Sequence, residues 1–264
     1  MAPVPPLGTL RIAGPADVLR IGIVAAAGFR YSPLFRWERP HHQDFPDDTL
    51  LSYRTQFLNS VKSDDFVVLV QEDTYLPNEN DKTSAIIPDN NGWTAPEAGG
   101  KVIVGVVSVK LQPSSAHKGK LKNHEGQQSL YLGVFPSPPA VGSYPDLPAN
   151  PGRDLNRRHY DGWGTLAADA RKKNNLDGDS IVSMLVVHPA YWKRGHGTRL
   201  ATWPRDLSVL DKVPQCVSSA TMSQPLFLSL GYRQVDSIAA EGDGDDPDGV
   251  CTALLEHGGT AQEA

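Results

Sequence analysis

Apolar positions along the chain keep two spacings, every second residue in some stretches and every third or fourth in others, with polar or proline-rich breaks between them. TLRIAGPADVLRIGIVAAAG (9–28) reads as a short strand, a GPAD turn and a helix, because Pro15 suits a first helical turn and Val18, Ile21, Ile23 and Val24 share a face. FRYSPLFRWERPHHQDFPDD (29–48) reads as a loop rich in aromatics and histidine, followed by a second helix from about Thr49 to Ser60 with Asp47 or Asp48 as its cap. FVVLVQED (66–73) and KVIVGVVSVKLQ (101–112) are β-branched strands, hairpinned across a surface loop or excursion (74–100) that shows no period. Residues 113–152 are loop-like, and 153–175 suit a helix weakened by Gly162 and Gly164. SIVSMLVVHP (180–189) is apolar on both faces, as a central strand is. GHGTRLATWPRDLSVLDKV is a helix that Pro204 is expected to kink or split. CVSSATM, YRQVDSI and GVCTALLE are closing strands, with SQPLFLSLG a short helix among them. Strands and helices mixed around one sheet imply an α/β (α+β) fold, and 264 residues fit one domain, 1–264.

Charge and cysteine content narrow the partners. A net charge of -5 argues against a nucleic-acid or membrane-surface binder, and no apolar run reaches the ~20 residues of a membrane helix. MAPVPPLGTLRI lacks the positive-then-apolar pattern of a secretory signal. Cys216 and Cys251 have no CxxC spacing and read as small buried hydrophobes in a reduced, cytoplasmic protein.

The most informative stretch is VVHPAYWKRGHGTRL (186–200), where the central strand stops at a proline, two cations follow, and two glycines open a helix. The first turn of a helix carries unpaired N–H groups and the positive end of the dipole, which together favour an anion. Gly195 and Gly197 allow close backbone approach, Lys193 and Arg194 add charge, and Thr198 adds a hydroxyl, so a phosphate or pyrophosphate is the natural guest. The plain alternative is a strand–turn–helix connection whose glycines serve the turn alone. The motif is neither a P-loop nor a GxGxxG fingerprint.

Leu185, Val187 and Pro189, followed by Gly195 and Gly197 at a helix start, resemble the acetyl-CoA-binding core of the GNAT superfamily of N-acetyltransferases. LFLSLGY (226–232) is similar to that family's apolar-aromatic-xxx-Gly-aromatic segment, and LRIAGPADVLRIGIVAAAGF to its first strand and helix. The likeness is greatest to fungal-type members, with insertions near 74–100 and 113–178. It implies a single mixed, mostly antiparallel sheet, splayed at its central strand and flanked by helices. It also implies acetyl-CoA as cofactor: Trp192, Lys193, Arg194, Gly195, His196, Gly197 and Thr198 would hold the pyrophosphate. Leu185, Val186 and Val187 would receive the pantetheine arm and thioester carbonyl, with Phe227 beside the thioester. The loop after the first helix would meet a small-molecule amine acceptor through Tyr31, Phe35 and Trp37, whose equal alternative is local core packing, in a monomer or homodimer.

The family's acid and base positions are altered. Phe227 stands where many members have a proton-giving tyrosine; Ile181 and Ser183 stand where others carry a base, leaving Ser183 as the one candidate catalytic residue, and a poor base. Trp192 replaces the glutamine or arginine that opens the phosphate turn, and Ala220 a frequent asparagine. Two functions stay open: transfer of acetyl from acetyl-CoA to an amine by direct attack in a ternary complex, or a GNAT-fold module that binds CoA or a metabolite without transfer. Nothing marks a peptide groove. His188 reads as structural, His41 and His42 as surface residues without a third metal ligand, and His159, Tyr160 and Asp161 either reach the acceptor side or form a solvated helix face, the second being the preferred reading.

Overall fold

The computed structural model describes residues 3–122 and 143–259, so part of the expected 113–178 insertion, residues 123–142, lies outside the described residues. The β-branched runs lie side by side in one sheet: β1 (Leu10–Ile12), β2 (Phe66–Thr74), β3 (Lys101–Lys110), β4 (Ser180–Val187), β5 (Gln215–Ser219), β6 (Arg233–Ala240) and β7 (Val250–His257). Their order is β1-β2-β3-β4-β5-β7-β6, and every neighbouring pair is antiparallel except β4 with β5. The strand that reads as apolar on both faces, β4, is the fourth of the seven.

Helices cover both faces. α1 (Val18–Phe29) is apolar nearly all round, as a helix pressed into a core must be. With α3 (Pro46–Lys62) it covers Val68, Val70, Ile103, Val106 and Val186. Gly28 lets α1 touch the sheet: a Cβ there would stand 2.7 Å from the Val187 carbonyl oxygen. α5 (His196–Asp211) covers the opposite face over Val67, Leu69, Val107, Val182 and Val187. α2 (Pro33–Glu38) and α4 (Arg157–Lys173) bring Trp37 and Trp163 against Cys216, Ile238 and Leu254, and α6 (Gln224–Ser229) adds Phe227 to the α5 side.

Several elements depart from the sequence expectation. Residues 33–38 form a helix and not loop, because Pro33 pre-sets a first turn and Pro40 forces Arg39 out of helical geometry (φ -127°, ψ 59°). The second helix starts at Pro46, so Asp47 and Asp48 lie inside its first turn and neither caps it. Asp48 instead takes the Arg153 guanidinium and backbone N–H, which hold its carboxyl below the usual range. Pro204 does not split α5, which runs unbroken past it. Cys251 is exposed, and only Cys216 is buried.

The 74–100 stretch is tied down. Arg20 and Glu79, each about as buried as the apolar core, form an ion pair; Arg20 Nε also donates to the Ile103 carbonyl at 2.8 Å, and Tyr191 Oη donates to Glu79 at 2.8 Å. Trp93 lies over the Arg20 guanidinium at 4.7 Å. One buried charge pair thereby fastens a segment with no periodicity of its own to α1 and to the turn after β4. Removing one member leaves the other charged and buried. Arg20→Met is expected to lower unfolding free energy by about 3–5 kcal/mol. Urea titration would check this, and a loss below about 1 kcal/mol would put the pair in the class of exposed bridges.

Candidate functional site

The centre of the sheet opens at β4. Ser108 of β3 pairs with Met184 and Val109 with Val182, which leaves Ser183 as an extra residue in a β-bulge. The bulge reverses the alternation: Val182, Leu185 and Val187 pack toward α5, while Met184 and Val186 pack toward α1 and α3. On its other side β4 pairs with β5 only through Ser180, Ile181 and Val182. Beyond Val182 the two strands part.

That gap leaves backbone unpaired. His188 N–H donates to the Val104 carbonyl at 2.8 Å, so by the alternation of an antiparallel ladder Val186 also faces β3, while Leu185 and Val187 face the gap. The Val187 carbonyl is met there by Trp192 Nε1–H at 2.7 Å. The N–H and C=O of Leu185 and the N–H of Val187 are left for a guest.

A cleft of about 990 Å³ runs through the gap from one face of the sheet to the other. At one end stands the first turn of α5, entered through Gly195 in a left-handed conformation (φ 80°) with no side chain capping it. Lys193, Gly195, His196, Gly197 and Thr198 line this end, with Ala220, Leu226 and Phe227 opposite. The helix start therefore presents bare N–H groups and a lysine to the cleft, a setting for an anion.

The other end is walled by Phe29, Phe35, Tyr53, Tyr160 and Trp163 and, among the described residues, contains one carboxyl, Glu38. Phe29 stacks on Tyr53 with centroids 5.4 Å apart. Burial among these rings pushes the Glu38 carboxyl up to about 7, against the opposing pull of the neighbouring Arg39 charge. Glu38 is held from behind. Asn156 N–H donates to its carbonyl at 2.9 Å, and fully buried Arg39 pairs with Asp154 and donates to Ser52 Oγ at 2.8 Å. Thr49 Oγ1 also donates to Asp154 at 2.8 Å. A half-buried carboxyl that titrates near neutrality can take up a proton beside these aromatic walls.

Most residues singled out in the sequence meet in this one cleft: Phe35, Ser183, Leu185, Val186, Val187, Trp192, Lys193, Gly195, His196, Gly197, Thr198 and Phe227 all line it. Three do not. Arg194 turns away to Asp73 at 3.1 Å and over the Tyr191 ring, drawn by the carboxylate. Tyr31 stands outside, its hydroxyl accepting from Ser84 N–H at 3.1 Å and its ring against the edge of Trp192. Trp37 is core, stacked flat on His159 at 4.0 Å.

The side chains of two lining residues are already occupied. His196 Nε2 lies 2.9 Å from Asp73, so its ring is held by that carboxylate and only its backbone faces the anion end. Phe227 is buried, edge-on to Tyr232, and gives an apolar wall with no proton. His188 is fully buried outside the cleft, its Nδ1 accepting from Ala190 N–H and its pKa lowered to about 4 by burial, as a structural histidine.

The expected solvated face of 159–161 is corrected in two of three residues. His159 is buried, bonding the Trp37 carbonyl and Asp243, and Tyr160 lines the cleft; Asp161 alone is exposed. Glu38 was the chief omission. Its signal was a carboxylate inside LFRWERP, bounded by Ser-Pro and Arg-Pro, a short helix that aromatic content alone concealed.

No protein-family model matches the chain. A protein of Stachybotrys chartarum named acetyltransferase is 29% identical over 243 residues, covering 92% of this chain and 88% of that one. Among solved structures, one named arylalkylamine N-acetyltransferase 7, from the yellow fever mosquito, superposes with a TM-score of 0.51 at 11% identity, covering 94% of this chain and 86% of the other. The chain is a GNAT-fold protein and a homologue of the fungal acetyltransferase over nearly its whole length.

Proposed function

We propose that the protein transfers an acetyl group from acetyl-CoA to the amine of a small molecule, by direct attack within a ternary complex. The supporting observation is the single cleft that joins the bare first turn of α5 to Glu38 across the β4–β5 gap. The anion end fits the CoA pyrophosphate: backbone N–H groups of residues 196–198 and the Lys193 ammonium would hold it. The gap-facing edge of β4 fits the amide-bearing pantetheine arm, with Val187 offering its N–H while Trp192 keeps its carbonyl. Acetyl-CoA supplies an activated acyl group as a thioester.

The protein's own groups do the rest. Leu185 N–H, aimed into the gap, is placed to receive charge developing on a carbonyl oxygen. Glu38 takes the proton of the incoming ammonium, since an amine attacks only when neutral. That side-chain base replaces the ones missing at Ile181 and Ser183 and weighs against a module that binds without transfer. Phe227 keeps its wall dry. The aromatic end suits an amine with an apolar or aromatic body, in line with the name of the mosquito structure. Incubation with acetyl-CoA and a panel of primary amines, read by thiol release and by product mass, tests the reading; no acetylated product from any amine would overturn it.

A Cβ at Gly197 would lie 3.7 Å from Leu226 and 3.9 Å from Val187, ordinary contacts that the fold tolerates. Gly197→Val is therefore expected to fold normally and to weaken CoA about tenfold or more in calorimetry, because its side chain covers the helix N–H groups. Unchanged affinity would place the pyrophosphate elsewhere.

Glu38→Gln is expected to lower kcat by about 10²–10⁴ with CoA affinity intact. In the unaltered protein, kcat/KM should rise with pH through about 7 as Glu38 ionises and level off above it. A profile flat across that range would remove Glu38 from the reaction.

A further inference from the structure

Besides Lys193 at the anion end, two cations of the cleft form no ion pair or side-chain hydrogen bond among the described residues. Lys110 and Arg171 both line it; Lys110 is exposed at the end of β3, where its charge also reaches the Asp65 carboxylate without pairing with it. Their placement follows from the elements that carry them. Val107 and Val109 of β3 pack toward α5, so Lys110 projects with Val106 to the Glu38 side of the sheet, beside its register partner Ile181. On α4, Tyr160, Trp163, Gly164, Ala167 and Arg171 fall on one helical face, and that face walls the cleft.

Neither cation can serve the anion end. From Ile181 to Val187 is six strand steps, about 20 Å, and the first turn of α5 lies beyond Val187. Arg171 also stands well away from Glu38. Tyr160, whose ring lies 5.7 Å from the Arg39 guanidinium next to Glu38, is eleven residues from Arg171, about 16 Å along the helix.

On the acetyl-transfer reading above, we infer that the acceptor carries a second, anionic group at the far end from its amine, and that Lys110 and Arg171 receive it. The acceptor is then an elongated molecule: an amine at Glu38, an apolar or aromatic middle, and a carboxylate or phosphate several bonds away. An α-amino acid, with its carboxylate next to its amine, does not reach both.

The test compares phenethylamine, 4-(2-aminoethyl)benzoate, O-phosphotyramine and phenylalanine as acceptors, with hexylamine and 6-aminohexanoate as an aliphatic pair. At least one remote anion is expected to raise kcat/KM about tenfold or more over its uncharged counterpart, mainly through KM, and the better of carboxylate and phosphate identifies the class. Phenylalanine is expected to show no such gain. Lys110→Met and Arg171→Leu should each reduce the preference without altering CoA affinity, which also reports that the variants fold.

Equal kcat/KM within the pairs, a preference that survives both substitutions, or phenylalanine favoured over the remote acids would overturn this inference and leave amine acetylation standing. Acetylation of none of these acceptors by protein that binds CoA would overturn the acceptor reading and this inference with it.

Discussion

The site exists because a parallel pair of strands stops pairing after three residues. Backbone donors and acceptors inside a sheet are ordinarily spent on neighbours, and an unspent pair in a protein interior is costly. Here β4 and β5 part after Val182, and the bulge at Ser183 turns Leu185 and Val187 so that their free groups face the opening. Trp192 satisfies one of them through its indole N–H. The remaining edge, the bare start of α5 and the aromatic wall on the far side are all reached through the same break in the sheet.

Charge is divided along this opening. The α5 end offers the dipole and Lys193, while the nearby Arg194 and His196 side chains are drawn to Asp73. The opposite side holds Glu38, whose ionisation is made difficult by burial, an effect that the Arg39 charge offsets only in part. Arg39 itself is committed to Asp154 and Ser52, so it anchors the backbone next to Glu38 instead of neutralising the carboxyl directly. Pairing elsewhere thus leaves Lys193 free at the α5 end and the Glu38 carboxyl without a direct ion pair on the other side.

The anion end was legible in the sequence because its chemistry is local: Gly195, Gly197 and Lys193 lie within one turn, and the backbone around them does the work. The central strand was legible for a similar reason, since burial on both faces leaves an unbroken apolar run. Glu38 was not, because its significance comes from Tyr53, Tyr160 and Trp163, which lie elsewhere in the chain and meet it only in the fold. Trp37 and Phe35 are two residues apart and equally aromatic, yet one is core and the other cleft; the unrecognised helix α2 turns them to different sides. Arg194 and Lys193 were indistinguishable until Asp73, on a distant strand, claimed one of them.

The bonds behind Glu38 also set an order of assembly. Arg39 and Asp154 are 115 residues apart, and the Asn156 amide that fixes the Glu38 carbonyl arrives with them. Such distant pairings form late because they close long loops. A nascent chain that has emerged only through β3 carries Glu38 on a two-turn helix without Asp154 and Asn156 behind it. The carboxyl takes its place when the segment leading into α4 docks, and β4, β5 and α5 follow only after that in the chain. The bonds behind Glu38 and the bare start of α5 are therefore completed from successive stretches of the later half, and neither is complete in a partly synthesised protein.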